Sequence, residues 1–263
     1  MATEWLPALA KAVADPALLK EIYGDLAKPG VSQVGKALGG ILGLGNTVLW
    51  PIHLLNERSR VALEANLESY RKKLESVPEA NIVTPPAEVG VPIAEKLAYV
   101  TDVDLRELYT SLLAKASNSQ TQSLAHPSFV NVLNNLSPDE ANLLKFFDRH
   151  NQVAFCSGRF IDPQKNYWIQ VIDLHFSLDS DTPLVFPANK VAYISNLEGL
   201  GLVRVLRDVF IVPETIYEPM EAQLKAAFQN VPSPPNLPEF QTQRGKLEVT
   251  QFGTLFLQAC VKP

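Results

Sequence analysis

The sequence predicts an α+β fold, with a helical N-terminal half followed by a winged-helix-like C-terminal half. Helix start and stop signals, together with apolar residues at helical spacing, fill the first half. After residue 136, β-rich runs and glycine-containing turns alternate with helical segments in the order typical of a winged helix. We therefore expect a helical domain over residues 1–136 and a winged-helix-like domain over residues 137–263 with an inserted β-hairpin.

The N-terminal half is predicted to begin with short helices and then one long helix. Asp15-Pro16 is a helix start and Pro29-Gly30 a helix stop, which predicts two short helices. A long polar helix is expected from about Pro51 to Ser76. Its apolar face follows helical spacing through Leu63, Leu67, Tyr70 and Leu74. Four prolines within residues 77–92 predict that this stretch breaks any helix.

Two more helices are expected before residue 136. Asp102 or Asp104 caps the first, whose apolar stripe consists of Leu105, Leu108, Leu112 and Leu113. A polar connector over residues 117–122 follows. His126-Pro127-Ser128-Phe129 then opens a short helix that ends near Leu136. We interpret His126 or Ser128 as its cap, because residues flanking a proline rarely place a base against a hydroxyl for catalysis.

The C-terminal half starts with Ser137-Pro138-Asp139-Glu140, a strong helix start. Two β-rich runs, residues 153–161 and 167–178, surround a turn at residues 162–166. A helix from about Ala188 closes at Gly199 or Gly201, and a strand over residues 202–212 leaves directly from it. After the proline-rich residues 231–240, a final strand leads into a helix capped by Thr250.

The glycine-rich apolar segment 35–51, GKALGGILGLGNTVLWP, is the least ordinary part of the sequence. Gly35, Gly39 and Gly43 recur every fourth residue, so that a helix would align them on one face, and Trp50 lies near the end of the segment. Three interpretations stay open: buried packing against another helix, a membrane-active segment that can become exposed, and an oligomer interface. The segment is shorter than the ~20 apolar residues that span a bilayer.

Composition and charge narrow the function classes. The chain has 263 residues, 46% of them hydrophobic, and a net charge of −5. Up to Leu136 there are 12 basic against 14 acidic residues, and after it 11 against 14, so neither half carries a nonspecific nucleic-acid footprint. The two cysteines lie far apart and form no zinc-binding pattern, which indicates reduced thiols in a cytoplasmic protein without a secretory leader.

Several stretches together resemble the abortive-infection alpha (Abi-alpha) family of bacterial proteins. They are the glycine-apolar stretch leading into WPIHLLNERS, VGVPIAEKLAYVTDVDLRELYTSLLAKASN, HPSFVNVLNNLSPDEANLLKFF, NLEGLGLV and LEVTQFGTLFLQAC. The resemblance spans about Gly35 to Cys260 and rests on structural motifs. It implies a role in bacteriophage defence, in which an infected cell shuts down or dies. It implies no catalytic residue, and none is assigned.

The individual candidate sites favour a contact module over a catalyst. Lys190 and Asn196 on the helix, with Arg204 and Arg207 on the following strand, are the expected partner contacts of the winged helix. Asp208 and Glu198 offset these cations, which makes duplex binding the weaker hypothesis.

Asp173 and His175 lie two apart on a predicted strand and so share a face. They could hold a metal ion, but no third ligand is apparent, and a structural or surface role is favoured.

The sequence therefore predicts a non-enzymatic anti-phage protein that acts through protein–protein or membrane interaction. Phosphate-loop, dinucleotide, zinc-protease and serine-hydrolase motifs are missing from the sequence, and no cofactor or metal is expected. A protein partner or self-association is expected, with conditional membrane contact on activation as an open alternative. A winged-helix transcriptional or nucleic-acid-binding regulator is the second hypothesis, and an enzyme with dispersed residues is the third.

Overall fold

A computed structural model describes Ala37, residues 57–165 and residues 167–262. The chain forms two compact units. Of the described residues, those up to Ala141 and those from Phe256 onward form one unit, and those within Asn142–Leu255 form the other. The described part combines helices with a four-stranded antiparallel sheet. This confirms the predicted α+β class.

The first unit is helical in its described residues. Its helices are α1 (Glu57–Leu74), α2 (Ala87–Leu97), α3 (Val103–Ala116), α4 (Ser128–Asn134) and the first residues of α5 (Pro138–Arg149). The predicted apolar face of α1 is buried at Leu63, Tyr70 and Leu74. Opposite charges one turn apart, Glu68 and Lys72, lie 3.9 Å apart. The long polar helix is thus confirmed from Glu57 onward, while its predicted start near Pro51 lies outside the described residues. Of its predicted inward face, Leu67 is half-buried.

Helix α3 begins at the predicted cap. The Asp102 carboxylate accepts a hydrogen bond from the Leu105 N–H at 2.9 Å, which satisfies one of the free donors at the helix start. The helix end is tied to α1, since the hydroxyls of Tyr70 and Ser117 lie 2.7 Å apart in a buried position. Neither His126 nor Ser128 takes the N-cap position of α4, which belongs to Pro127 and has no side-chain cap. The His126 imidazole nevertheless accepts a hydrogen bond from the Ser128 N–H, the first of the helix, at 3.1 Å.

The prolines of residues 77–92 do not break every helix, and that prediction was wrong. Helix α2 begins after Pro86, whose extended backbone leads into it, and contains Pro92 in its interior. Pro92 removes a single N–H donor, and the carbonyl four residues earlier belongs to Glu88, an exposed residue in the first turn. The buried face of the helix, at Val89, Ile93 and Leu97, outweighs that loss.

The second unit is built on the sheet, with strand order β2-β1-β4-β3. The strands are β1 (Gln152–Asp162), β2 (Tyr167–His175), β3 (Val203–Arg207) and β4 (Glu239–Val249). The hairpin of β1 and β2 matches the two predicted β-rich runs. All neighbouring strands are antiparallel. An ion pair of 2.7 Å between Arg207 on β3 and Asp173 on β2 links the two edge strands, which requires the sheet to curl.

Helix α6 (Lys190–Gly199) leads into β3, and helix α8 (Gln251–Cys260) follows β4, as the sequence predicts. Gly201, at φ +76°, makes the left-handed turn between α6 and β3. The Thr250 hydroxyl accepts the Gly253 N–H at 2.8 Å and so caps α8.

Two elements of this unit differ from the prediction. Strand β3 ends at Arg207 instead of residue 212, because Asp208 adopts a left-handed backbone conformation at φ 62°. Helix α7 (Glu218–Phe228) was not predicted at all. Pro219 in its first turn and the acids Glu218 and Glu221 are ordinary helix-start signals.

Candidate functional site

Lys190, a predicted partner contact, is used within the chain and is not available to a partner. Its ammonium group donates a hydrogen bond to the Phe176 carbonyl at 2.6 Å and lies 4.1 Å from the centre of the Phe176 ring. Burial lowers the pKa of Lys190 from its ordinary value. The cation therefore fastens the start of α6 to the chain that follows β2.

The other predicted partner contacts are Asn196 on α6, with Arg204 and Arg207 on β3. Arg207 is engaged by Asp173, and both side chains are a little less than half exposed. Arg204 is exposed and pairs in strand register with Glu248 of β4. Asn196 is half-buried on α6. Arg204 is thus the most open of the three predicted cations.

The side chains of Asp173 and His175 each contact another residue of the same chain. Asp173 binds Arg207, and the His175 Nε2 atom lies 2.9 Å from the Gln223 Oε1 atom of α7. In the described ranges of the chain, no three His, Cys, Asp or Glu side chains cluster closely enough to hold a metal ion. The pair is explained by contacts that hold the C-terminal half of β2 in place.

The predicted segment residues Gly35, Gly39, Gly43 and Trp50 lie outside the described residues. Ala37, between the first two glycines, is described: it is helical and 2% exposed. Among the helices that the structure describes, none combines the length and the apolar composition needed to cross a membrane.

An aromatic groove in the second unit has a volume of about 590 Å³. Phe228 and Phe240 stack 4.6 Å apart at its wall, and Phe160 packs edge-on against both. These rings fill the sheet face beneath α7. Lys225 is the charged residue in its lining, so converging ionisable groups of the kind an active site needs are missing there.

A smaller cavity of about 290 Å³ includes His150 and Asp179, whose Nε2 and Oδ2 atoms lie 2.8 Å apart. This hydrogen bond, with further contacts from Arg149, holds the pKa of Asp179 below its usual range. Arg149 also donates to Thr182 at 2.8 Å. The cluster joins residues 179–182 to the C-terminal end of α5, where a cation is favourable.

The two thiols are poor nucleophiles at neutral pH. Burial raises the pKa of Cys156 to about 11 and raises that of Cys260 well above its ordinary value. Both cysteines are buried and unpaired, as the predicted reduced thiols require.

The outer edge of β2 is the most unusual surface of the second unit. Tyr167, Trp168, Ile169 and Val171 are 56%, 46%, 41% and 37% exposed. Their strand pairs with β1 on one side, and no described strand lies on its other side. Exposed apolar side chains on a free strand edge are typical of a protein interaction site.

The comparison with known families decides the identity of the chain. Residues 62–260, most of the sequence, match the family described as Abortive infection alpha. This chain belongs to the abortive infection alpha family. The match confirms the resemblance stated from the sequence motifs.

Two further comparisons add little to the family assignment. No curated protein matches the chain. A solved structure of an uncharacterized protein from the hydrocarbon-degrading marine bacterium Alcanivorax borkumensis SK2 is similar at 17% identity, covering 54% of this chain and 94% of that one. Its TM-score of 0.31 is too low to carry an argument about a shared fold.

The exposed edge of this member of the abortive infection alpha family was missed in the sequence analysis. The run YWIQV at residues 167–171 has one polar residue, whereas a strand with one solvated face alternates apolar and polar residues. That lack of alternation was a usable signal. It does not distinguish a strand covered on both faces from one whose apolar side chains are exposed at an edge.

Proposed function

We propose that the chain is a non-enzymatic abortive-infection protein that acts against bacteriophage through protein–protein or membrane interaction. The family match over residues 62–260 carries this proposal. The chemistry of the described residues supports it, because the buried thiols are protonated at neutral pH and the aromatic groove lacks converging ionisable groups. The exposed apolar edge of β2 supplies a surface for protein contact.

The second unit acts in this proposal as a winged-helix-like contact module. The order α6, β3, α7, β4 and α8 supports that description, with α7 inserted between the two strands of the wing, the glycine turn before β3 and the Thr250 cap before α8. Lys190 and Arg207 already have partners within the chain, so they are poorly placed to neutralise phosphates. A protein partner therefore fits this unit better than a nucleic acid.

The glycine-rich segment is the proposed source of conditional membrane contact or assembly. Ala37, within it, is almost fully buried, which supports a covered resting state. Helical glycines weaken a helix by roughly 1 kcal/mol each relative to alanine, so releasing such a segment costs less than releasing a Leu/Ala helix. Phage infection would uncover the segment.

A phage challenge tests the defence role directly. The chain is expressed in a susceptible bacterial strain and plaque formation is counted over a broad phage panel. We expect fewer plaques with at least one phage and death of the infected cells. Unchanged plaquing over the whole panel would contradict the proposal.

Fractionation before and after infection separates the two modes of action. Protein that moves to the membrane pellet after infection supports membrane contact, whereas protein that stays in the supernatant supports a protein partner.

The double substitution Gly39→Leu and Gly43→Leu should abolish protection against phage if close helix approach is needed, because leucine keeps the helices apart. Circular dichroism and thermal melting check that the double variant is folded.

A further inference from the structure

Strand β2 divides into an anchored half and an open half. In the anchored half, Asp173 binds Arg207 at 2.7 Å and His175 contacts Gln223 at 2.9 Å. The open half, residues 167–171, contains the four exposed apolar side chains described above. The free part of the sheet edge is therefore confined to five consecutive residues.

The open half is a regular strand up to its bulge. Residues 167–170 pair one by one with residues 162–159 of β1, and the register shifts after Gln170. The Gln170 side chain spans the bulge by donating to the carbonyls of Gly158, at 3.3 Å, and Ile172. This contact fixes the strand at the point where its pairing with β1 is irregular.

The devices that usually protect a strand edge are weak in this segment. Proteins block such edges with lysine, proline, a β-bulge or a covering element. The bulge after Gln170 is such a device, but residues 167–170 before it keep a regular register with β1. Residues 167–171 contain neither proline nor a charged residue. One face of Trp168 lies over the Arg159 guanidinium at 5.5 Å, yet the side chain keeps almost half of its surface in solvent. Among the residues that the structure describes, none forms a strand on this edge, which leaves it open to pairing with another strand.

We propose that a second copy of this chain pairs with the edge, β2 against β2, antiparallel and with a two-fold axis at Ile169. Antiparallel pairing of identical strands is closed by two-fold symmetry and satisfies both edges at once. Ile169 then faces Ile169 of the second copy, and Tyr167 faces Val171 of the second copy. In this inference, the partner in the proposed protein–protein interaction is a second copy of the chain. The biological role of the dimer rests on the proposed function.

The charges near the edge complement one another in this register. Trp168 faces Gln170 of the second copy. Lys165, 72% exposed and 3.5 Å from Asp162 of its own chain, falls opposite Asp173 of the second copy, whose carboxylate also binds Arg207. No like charges are placed opposite each other over residues 165–173. Residues 162–173 carry two acids, Asp162 and Asp173, beside a single lysine, so an anionic lipid surface is a poorer occupant.

The mass of the full chain in solution tests the contact. Light scattering after size exclusion and sedimentation velocity, over a concentration series, should show a dimer. Ile169→Lys places two lysines face to face and should weaken the dimer at least about tenfold. The matched control is Val212→Lys, which replaces a 79% exposed valine outside β2 and should leave the dimer unchanged. Circular dichroism verifies the fold of both variants.

Disulfide cross-linking tests the register. Ile169→Cys should cross-link to itself on mild oxidation. Tyr167→Cys and Val171→Cys should each stay uncross-linked alone and cross-link when the two variants are mixed. Cys156 and Cys260 are buried and should not compete.

A single-chain mass at every concentration would overturn the inference, as would a dimer that Ile169→Lys does not weaken. Either result leaves the defence function standing if the wild-type chain still protects against phage. Conversely, a dimer with the expected cross-links that gives no protection would contradict the proposed function and keep the contact.

Discussion

Gly253 shows at the scale of one residue how closely two backbone segments approach in the second unit. A Cβ atom built there would lie 2.0 Å from the Leu202 carbonyl oxygen, a distance that no side chain can relieve because the clashing atom belongs to the backbone. A Cβ atom added to Gly199, in the last turn of α6, would have no neighbour within 4 Å. These two glycines are therefore a matched pair.

Gly253→Ala should lower the free energy of unfolding by about 2 kcal/mol, since overpacking typically costs 1–3 kcal/mol. Gly199→Ala should leave it unchanged or raise it by up to ~1 kcal/mol, because alanine is the better helix former. Urea unfolding followed by circular dichroism measures both values. Equal effects of the two substitutions would contradict the close approach.

The sequence predicts those structural features that depend on residues close by in the chain. The Asp102 and Thr250 caps follow from the residue type and the helix that comes next, and both are present. The constraint on Gly253 could not be predicted, because it depends on Leu202, which lies about fifty positions earlier in the chain. For the same reason, the partners of Lys190 and Arg207 were not foreseen.

At the scale of elements, each prediction that failed has its own physical cause. Helix α2 forms despite Pro92 because its burial outweighs one lost hydrogen bond. Strand β3 is short because one residue, Asp208, turns the chain. The hairpin of β1 and β2 was predicted from composition and turn residues, but the identity of β2 as an edge strand depends on which strands pair in the sheet.

The ion pair between α7 and β4 gives a pH prediction. The hydrogen bond from Arg244, 2.7 Å from the Glu221 carboxylate, is the main reason that the pKa of Glu221 lies below its ordinary value. A carboxyl group with a lowered pKa in the folded state adds stability above its unfolded pKa of about 4.3, and this is lost as pH falls through the folded value. Glu221→Gln should therefore be less stable than wild type at neutral pH, and the difference should shrink in acid.

The measurement is the free energy of unfolding of wild type and Glu221→Gln from neutral pH down to below the unfolded pKa. Glu218→Gln, which removes an exposed carboxylate from the start of the same helix, is the control. It loses the same favourable charge near the helix N-terminus but no ion pair with Arg244, so it should lower the stability at neutral pH less than Glu221→Gln does. If the difference in the free energy of unfolding between wild type and Glu221→Gln grew as pH falls, the prediction would be wrong.

At the scale of the whole molecule, the end of the chain belongs to the first unit, not to the unit that precedes it in sequence. The Phe256 ring packs edge-on against Phe129, with centroids 5.2 Å apart, and both side chains are fully buried. Sequence reasoning divided the chain once, near residue 136, because local signals do not reveal that a terminal segment returns to an earlier unit.

Phe256→Ala should cost about 3–5 kcal/mol, the range for a buried aromatic residue in a core. Because its ring partner is on α4, amide exchange should increase in residues 128–134. Phe256→Leu keeps most of the volume and should give a smaller change. Hydrogen exchange measured by mass spectrometry checks both variants. Unchanged protection of α4 in a folded Phe256→Ala variant would contradict the assignment of the chain end.

The charge of the whole chain leads to a last prediction, that the protein does not bind duplex DNA at sub-micromolar concentration. The net charge is −5, and of the predicted contact cations, Lys190 is tied to Phe176 and Arg207 to Asp173. Each phosphate contact would add a salt-dependent gain in affinity, and of the three predicted contact cations Arg204 is the one left to supply it. Fluorescence anisotropy of a labelled duplex, titrated at low salt, is the measurement. Asp173→Asn releases Arg207 and should show the greater residual binding. Tight binding by the wild-type chain that weakens steeply with salt would revive the nucleic-acid hypothesis for this unit.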